Sequence, residues 1–127
     1  MAKRESINLP GMAHGAPIPM GSKIGNIVHS SGISGRDQVK NVMPEDPQEQ
    51  ANCLFDNVRQ FMEIAGGSPA DILHMTFFMN DEKDRDFING PWKAMFPDEH
   101  SRPSRHAVTT EVRQGRFQAE LMAVIGG

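Results

Sequence analysis

Residues 46–67 leave the chain little freedom. Asp46-Pro47-Gln48-Glu49 opens the segment with a capping side chain, a proline at the first helical position and a glutamate at the third. Ala51, Leu54, Phe55, Val58, Phe61, Met62 and Ala65 then recur at spacings of three and four, and Gly66-Gly67 stops the run. The pattern predicts one long amphipathic helix whose continuous apolar stripe must be covered by another layer. Cys53 falls off the stripe, so it is neither a core residue nor an obvious nucleophile.

The layer that covers the stripe is read from the segments on either side. Ser68-Pro69-Ala70-Asp71 makes a tight turn into Ile72–Met79, a run apolar on both faces, as in a central strand covered on both sides. His74 within it reads as a core or interface histidine. After a turn of mixed charge from Asp81 to Asp86, Phe87, Ile88, Trp92, Met95 and Phe96 predict a second helix, ended by Pro97. Pro91 should kink this helix or form its true first turn, with Asn89-Gly90 as the cap. Upstream, Glu5–Leu9 can form a strand ended by Pro10-Gly11, and prolines at 17 and 19 make His14–Met20 an extended edge segment. Gly25-Asn26 between Lys23-Ile24 and Ile27-Val28 signals a two-residue hairpin. Its second arm ends at Ser30-Ser31-Gly32. These small residues permit close approach by a ligand or another strand, although on their own a plain strand end is the simpler reading. Residues 33–45 show no periodicity and form an irregular connection.

The C-terminal stretch Arg102–Val124 alternates in two halves about Arg113-Gln114-Gly115, which predicts a β-hairpin. Arg105, Ala107, Thr109 and Glu111 share one face of the first half. On the second half Gln118, Glu120, Met122 and Val124 lie opposite Phe117, Ala119, Leu121 and Ala123. Glu120 is a carboxylate in a run that otherwise reads as buried, so it needs a partner, a ligand or a function. A two-residue turn would set Glu120 across from Thr109, and a four-residue loop from Val112 to Gly115 would set it across from Ala107. Either register puts Arg105 and Glu120 on the same face. The four-residue loop is the favoured register; it makes them diagonal neighbours, at about 7–8 Å. On the hairpin alone, a structural ion pair is the simpler reading.

With 127 residues the chain is expected to form a single domain over 1–127. A net charge of -3 and the absence of a basic patch argue against nucleic acid as a partner. One cysteine excludes an intramolecular disulfide and a cysteine-rich zinc site. His14, His29, His74, His100 and His106 show no ligand spacing, so no metal is expected. Phosphate-cradling glycine motifs are missing, and His29 beside Ser30 implies no Ser–His dyad because strand neighbours point to opposite faces. No stretch approaches the ~20 apolar residues of a membrane span, and the charged N-terminus does not read as a secretory signal, so a cytoplasmic protein is expected.

The order of strand, hairpin, long helix, strand, second helix and hairpin favours an α+β sandwich with both helices on one face of the sheet. Phe77, Met75 and Met122 read as too apolar to face water on the other side, which points to an oligomer.

In this order and over nearly the whole chain, roughly from His14 to the end, several features together resemble the reactive intermediate deaminase family, also called RidA or YjgF. They are Gly25-Asn26 leading to Ser31-Gly32, Glu63-Ile64-Ala65-Gly66-Gly67, the strand Asp71–Met79, Asn89, Pro103-x-Arg105 and Glu120-x-x-Ala123-Val124. The resemblance implies a chorismate-mutase-like α+β domain with a mixed β-sheet, and a homotrimer with sites between subunits. It also implies cofactor-independent hydrolysis of reactive 2-enamine or 2-imine acids, such as 2-aminoacrylate, to 2-keto acids and ammonia. By the same resemblance Arg105 grips the substrate carboxylate, and Glu120 holds and activates water. Ser31 and the Gly32 backbone contact the substrate, and Asn89 helps close the pocket. Two positions depart from the family pattern: Ile18 stands where many members have tyrosine, and Ala107 where cysteine is common. The pocket is therefore more apolar and lacks a phenol relay. The family also includes 2-aminomuconate deaminases, whose larger dicarboxylic enamine an altered pocket would suit. A non-catalytic trimer that binds a carboxylate metabolite is the alternative from another class.

Overall fold

The computed structural model describes residues 3–8 and 17–126; Leu9, Pro10-Gly11 and His14 lie outside them. The strands are β1 (Arg4–Ile7), β2 (Gly21–Ile24), β3 (Ile27–Ser30), β4 (Ile33–Ser34), β5 (Ile72–Met79), β6 (Ser104–Thr109) and β7 (Phe117–Val124). The helices are α1 (Pro47–Ala65) and α2 (Arg85–Met95). All strands join one mixed sheet in the order β1-β2-β3-β7-β5-β6, with β4 continuing β3's pairing along β7. Only β5 and β6 run parallel.

Local chemistry governs α1 and the first hairpin as the sequence indicates. The Asp46 carboxylate accepts from the Glu49 N–H at 3.1 Å, and Gly66 closes the helix in the left-handed region at φ 95°. Gly25 takes φ 59° in the turn between β2 and β3. The α1 stripe is buried as expected, together with two polar residues, Gln50 and Asn57. Both have clear work to do. Asn57 Nδ2 donates to the Ser34 and Arg36 carbonyls at 2.9 Å, and Gln50 Nε2 donates to the Pro44 carbonyl at 2.7 Å. Ile33 and Ser34, expected in the irregular connection, instead form β4. The rest of 33–45 is held both by these bonds from α1 and by its own, Asp37 and Val42 exchanging backbone hydrogen bonds and the Asp37 carboxylate accepting from the Val39 and Lys40 N–H groups.

Both helices cover the same face of the sheet. Phe55 of α1 stacks on Phe77 of β5 at 5.7 Å, and Trp92 of α2 meets the same ring edge-on at 6.0 Å. Of the two places open to Pro91, it takes the one inside α2 and not the one in a first turn capped by Asn89-Gly90. Pro91 has no N–H to give the Phe87 carbonyl, but Gln48 of α1 donates to that carbonyl at 3.0 Å. A partner from another helix therefore lets the proline stay.

The C-terminal hairpin is not formed. β6 and β7 are strands as expected, but β5 lies between them, pairing β6 on one edge and β7 on the other. Residues 110–116 cross over the end of β5, where Asn80 holds them. Its Oδ1 accepts from the Val112 N–H at 2.8 Å and its Nδ2 donates to the Gly115 carbonyl at 3.2 Å. Consequently Glu120 faces neither Thr109 nor Ala107; its cross-strand neighbour is Thr76.

This topology also revises the sheet faces. Met75 and Phe77 are fully buried beneath the helices, so they do not argue for a second copy. The opposite face carries Phe78, Met122 and Val124 together with Thr76, His74, His29 and Glu120, a mixed surface that is half-buried to exposed. No helix among the described residues is long and apolar enough to cross a membrane.

Candidate functional site

Arg105 is the best-positioned polar group in the chain. On β6 it pairs with Met75, and neighbouring cross-strand residues share a face, so its side chain lies on the helix-covered side. There the guanidinium rests 5.2 Å from the Trp92 ring centre and 5.8 Å from that of Phe77. Its Nη2 donates to Asn89 Oδ1 at 2.8 Å. The ring seat and the amide fix the plane of the fork, and among the described residues no other hydrogen bond takes up the remaining N–H donors, which suit a planar anion. Burial, and then the nearby Arg85 guanidinium, lower the proton affinity of Arg105. A cation under that pressure gains from an incoming carboxylate.

Asn89, Trp92 and Arg105 meet because Asn89 and Trp92 are three residues apart on α2 and so share a helix face. Ala107, two residues beyond Arg105, lies on the same face and packs against the core. The sequence already contained the Asn89–Trp92 spacing. What it did not reveal was the parallel pairing of β5 and β6 that lays Arg105 over that face.

Glu120 belongs to the other side. It pairs with Thr76, whose neighbours Met75 and Phe77 point into the core, so Glu120 projects from the face that the helices leave open. It is half-buried there and has no ion-pair partner among the described residues. Ser31 and Gly32 adjoin it through a bulge. His29 pairs with Met122 and Ile33 with Ala119, so Ser30, Ser31 and Gly32 face only Leu121 and Glu120. Ser30 turns inward and its Oγ accepts from the Leu121 N–H at 2.9 Å. Ser31 straps the preceding segment to the bulge, its N–H donating to the Met20 carbonyl and its Oγ to the Pro19 carbonyl, both at 2.8 Å. Ile18, at the start of that strap, is 54% exposed. Gln118, which sequence reasoning missed, packs so closely on Gly32 that a side chain there would run into its amide and lie 2.6 Å from its Cδ.

The residues singled out from sequence therefore form two half-sites, not one. Arg105, Asn89 and Ala107 gather on the helix-covered side of β6. Glu120, Ser31, Gly32 and Ile18 gather at β7 and the bulge. Arg105 and Glu120 are two strands apart, roughly 10 Å, and on opposite faces. The expectation that they share one face of a single hairpin is wrong, because β5 was missing from between them. No small acid can touch both within one chain.

The fold is shared by a group of small proteins of known structure. RidA from an Antarctic Psychrobacter species aligns at 26% identity over 95% of this chain and 99% of its own, with a TM-score of 0.85. The YjgF gene product of E. coli aligns at 27% identity over 94% and 98%, with a TM-score of 0.83. E. coli TdcF, solved with bound serine, aligns at 28% identity over 96% and 99%, also with a TM-score of 0.83. Residues 17–125 match the family described as endoribonuclease L-PSP, and the chain belongs to that family, which takes in RidA and YjgF.

Proposed function

We propose that this chain is a cofactor-independent deaminase of reactive 2-enamine and 2-imine carboxylic acids, working as a homotrimer. In this reading Arg105 and Asn89 of one copy meet Glu120 of the next. The observation that carries the proposal is the pairing of an oriented, partly free guanidinium with an unpaired carboxylate on the opposite face of the same sheet. Two such groups serve one small molecule only if separate copies supply them. E. coli TdcF, with serine bound, supports a small amino-acid-like ligand for this fold.

The chemistry needs little more. Arg105 binds the carboxylate through its free N–H donors and places the imine carbon at the subunit boundary. Glu120 accepts a proton as water adds to that carbon. Returned to nitrogen, that proton makes ammonia the leaving group, and as the C–N bond breaks the new hydroxyl gives up its own proton to Glu120, which leaves the water oxygen as the keto oxygen. Ser31 and the Gly32 backbone border Glu120 and are placed to contact the substrate beside it. The whole chain acts as one domain, in the cytoplasm, with a small acid and no nucleic acid as its partner; the net charge of -3 fits this.

A second reading, a trimer that binds a carboxylate metabolite without turnover, draws support from Ile18 and Ala107, which offer no group able to carry a proton. Ammonia release from 2-aminoacrylate generated in situ separates the two. Turnover lost in Arg105→Ala supports the deaminase. Tight keto-acid binding without turnover of any enamine supports the binding protein, and wild-type turnover in Arg105→Ala overturns the proposed site.

A further inference from the structure

Arg85 is the first residue of α2, Asn89 follows four residues later and Trp92 three after that, so all three lie along one face of the helix. Asn89 and Trp92 both touch Arg105. Arg85 therefore continues the same row outward from the Arg105 fork, and its charge registers at Arg105. Two arginines thus share one row with the Asn89 amide, and among the described residues neither has a firm counterion. Arg85 Nε donates to the Glu82 carbonyl at 3.2 Å, and the one ion pair of Arg85 among the described residues is with the Glu82 carboxylate at 3.8 Å, the two side chains 50% and 75% exposed. Such a contact is too solvated to hold Arg85. The adjacent buried carboxylate, Asp84, is engaged from the other side by Arg116 at 3.4 Å. Arg85 also stands in the first turn of a helix, where the backbone dipole opposes a cation. An anion lying between the two arginines would relieve both repulsions at once.

We infer that Arg85 is a specificity-determining residue, and that the site prefers acids carrying a second carboxylate, with Arg105 on the first and Arg85 on the second. The i,i+4 spacing sets the origin of the Arg85 side chain about 6 Å from that of Asn89, the amide that holds the Arg105 fork, and a few carbons between two carboxylates are on that scale. This inference rests on the proposed role of Arg105, and the test keeps the two apart.

Titration calorimetry with 2-oxobutyrate and 2-oxoglutarate, on wild type, Arg85→Ala, Arg85→Lys and Arg105→Ala, reads the outcome as a ratio of dissociation constants. Wild type is expected to favour 2-oxoglutarate by roughly tenfold or more, the value of one charge-assisted contact. Arg85→Ala brings the ratio to about one and Arg85→Lys restores part of it. Arg105→Ala weakens both ligands. Arg85 is exposed at its helix end, and a thermal melt of the variant checks that the fold is kept. An unchanged ratio in Arg85→Ala, with both ligands still dependent on Arg105, overturns the inference and leaves the role of Arg105 standing. Binding of both acids undiminished in Arg105→Ala overturns that role and the inference with it.

Discussion

Replacing Asn89 with aspartate turns the neutral partner of Arg105 into a charged one at the same place. The Nη2–Oδ1 contact of 2.8 Å becomes a charge-assisted bond, and because the pair is only part-buried the gain in stability is about 1 kcal/mol or less. The effect on a ligand has the opposite sign. A carboxylate gripping the rest of the fork would stand about 5 Å from the new one, and at an effective dielectric of ~20 their repulsion is roughly 3 kcal/mol. Partial exposure trims this to about 1–3 kcal/mol, a loss of about fivefold to more than a hundredfold in affinity. Thermal melts and calorimetry with 2-oxobutyrate measure both quantities on one sample. The variant should melt at or slightly above the wild-type temperature while binding far more weakly; Asn89→Ala, which adds no charge, should lose less. Undiminished binding in Asn89→Asp would refute the assignment of Arg105 as the carboxylate anchor.

Gly35→Ala drives a methyl group onto the Gln50 carbonyl oxygen and within 2.9 Å of its carbon, both backbone atoms of α1 that cannot swing away. A cost of about 1–3 kcal/mol and a lower melting temperature are expected, whereas unaltered stability would mean that residues 33–45 are not pressed against α1 as described. Burial, reinforced by Asp37, raises the Cys53 thiol above its ordinary range, so iodoacetamide should label it more slowly than free cysteine near pH 8 and faster as the pH climbs. Because the folded state keeps this proton where the unfolded chain has lost it, Cys53 leaves stability intact below the ordinary thiol range and lowers it as pH rises through the range and on toward the raised value. Labelling as fast as free cysteine would contradict this environment.

Features set by neighbours in sequence could be read directly. The Asp46 cap, the α1 stripe, the Gly66 stop and the Gly25-Asn26 turn depend on residues within one or two turns of each other, and each stands where expected. The alternation of β7 was also legible, so Glu120 was rightly placed with Gln118, Met122 and Val124. Failures occurred where a distant residue decides. Which of its two open places Pro91 takes was not legible, because the donor that admits it inside α2 is Gln48, a residue of another helix. Two adjacent alternating runs looked like a hairpin because nothing in them announces that β5 will lie between. The clue lay elsewhere, in Asn80 at the end of β5, whose side chain spans the crossing segment. With β5 inserted, the relation between the faces of Arg105 and Glu120 depends on two registers, one parallel and one antiparallel, and it inverts. The residue types of the site were thus legible, and their division between two faces was not.

That division is the centre of the account, and mixing two disabled variants tests it directly. On the proposed reading, Arg105→Ala and Glu120→Ala should each be inactive when pure in ammonia release from 2-aminoacrylate. Co-refolded in equal amounts, random assembly pairs an intact Arg105 with an intact Glu120 at roughly one boundary in four, so the mixture should recover about a quarter of wild-type activity. If Arg105 and Glu120 served the same molecule within one chain, no assembly would hold a complete site, and the mixture would stay at the background of its parents.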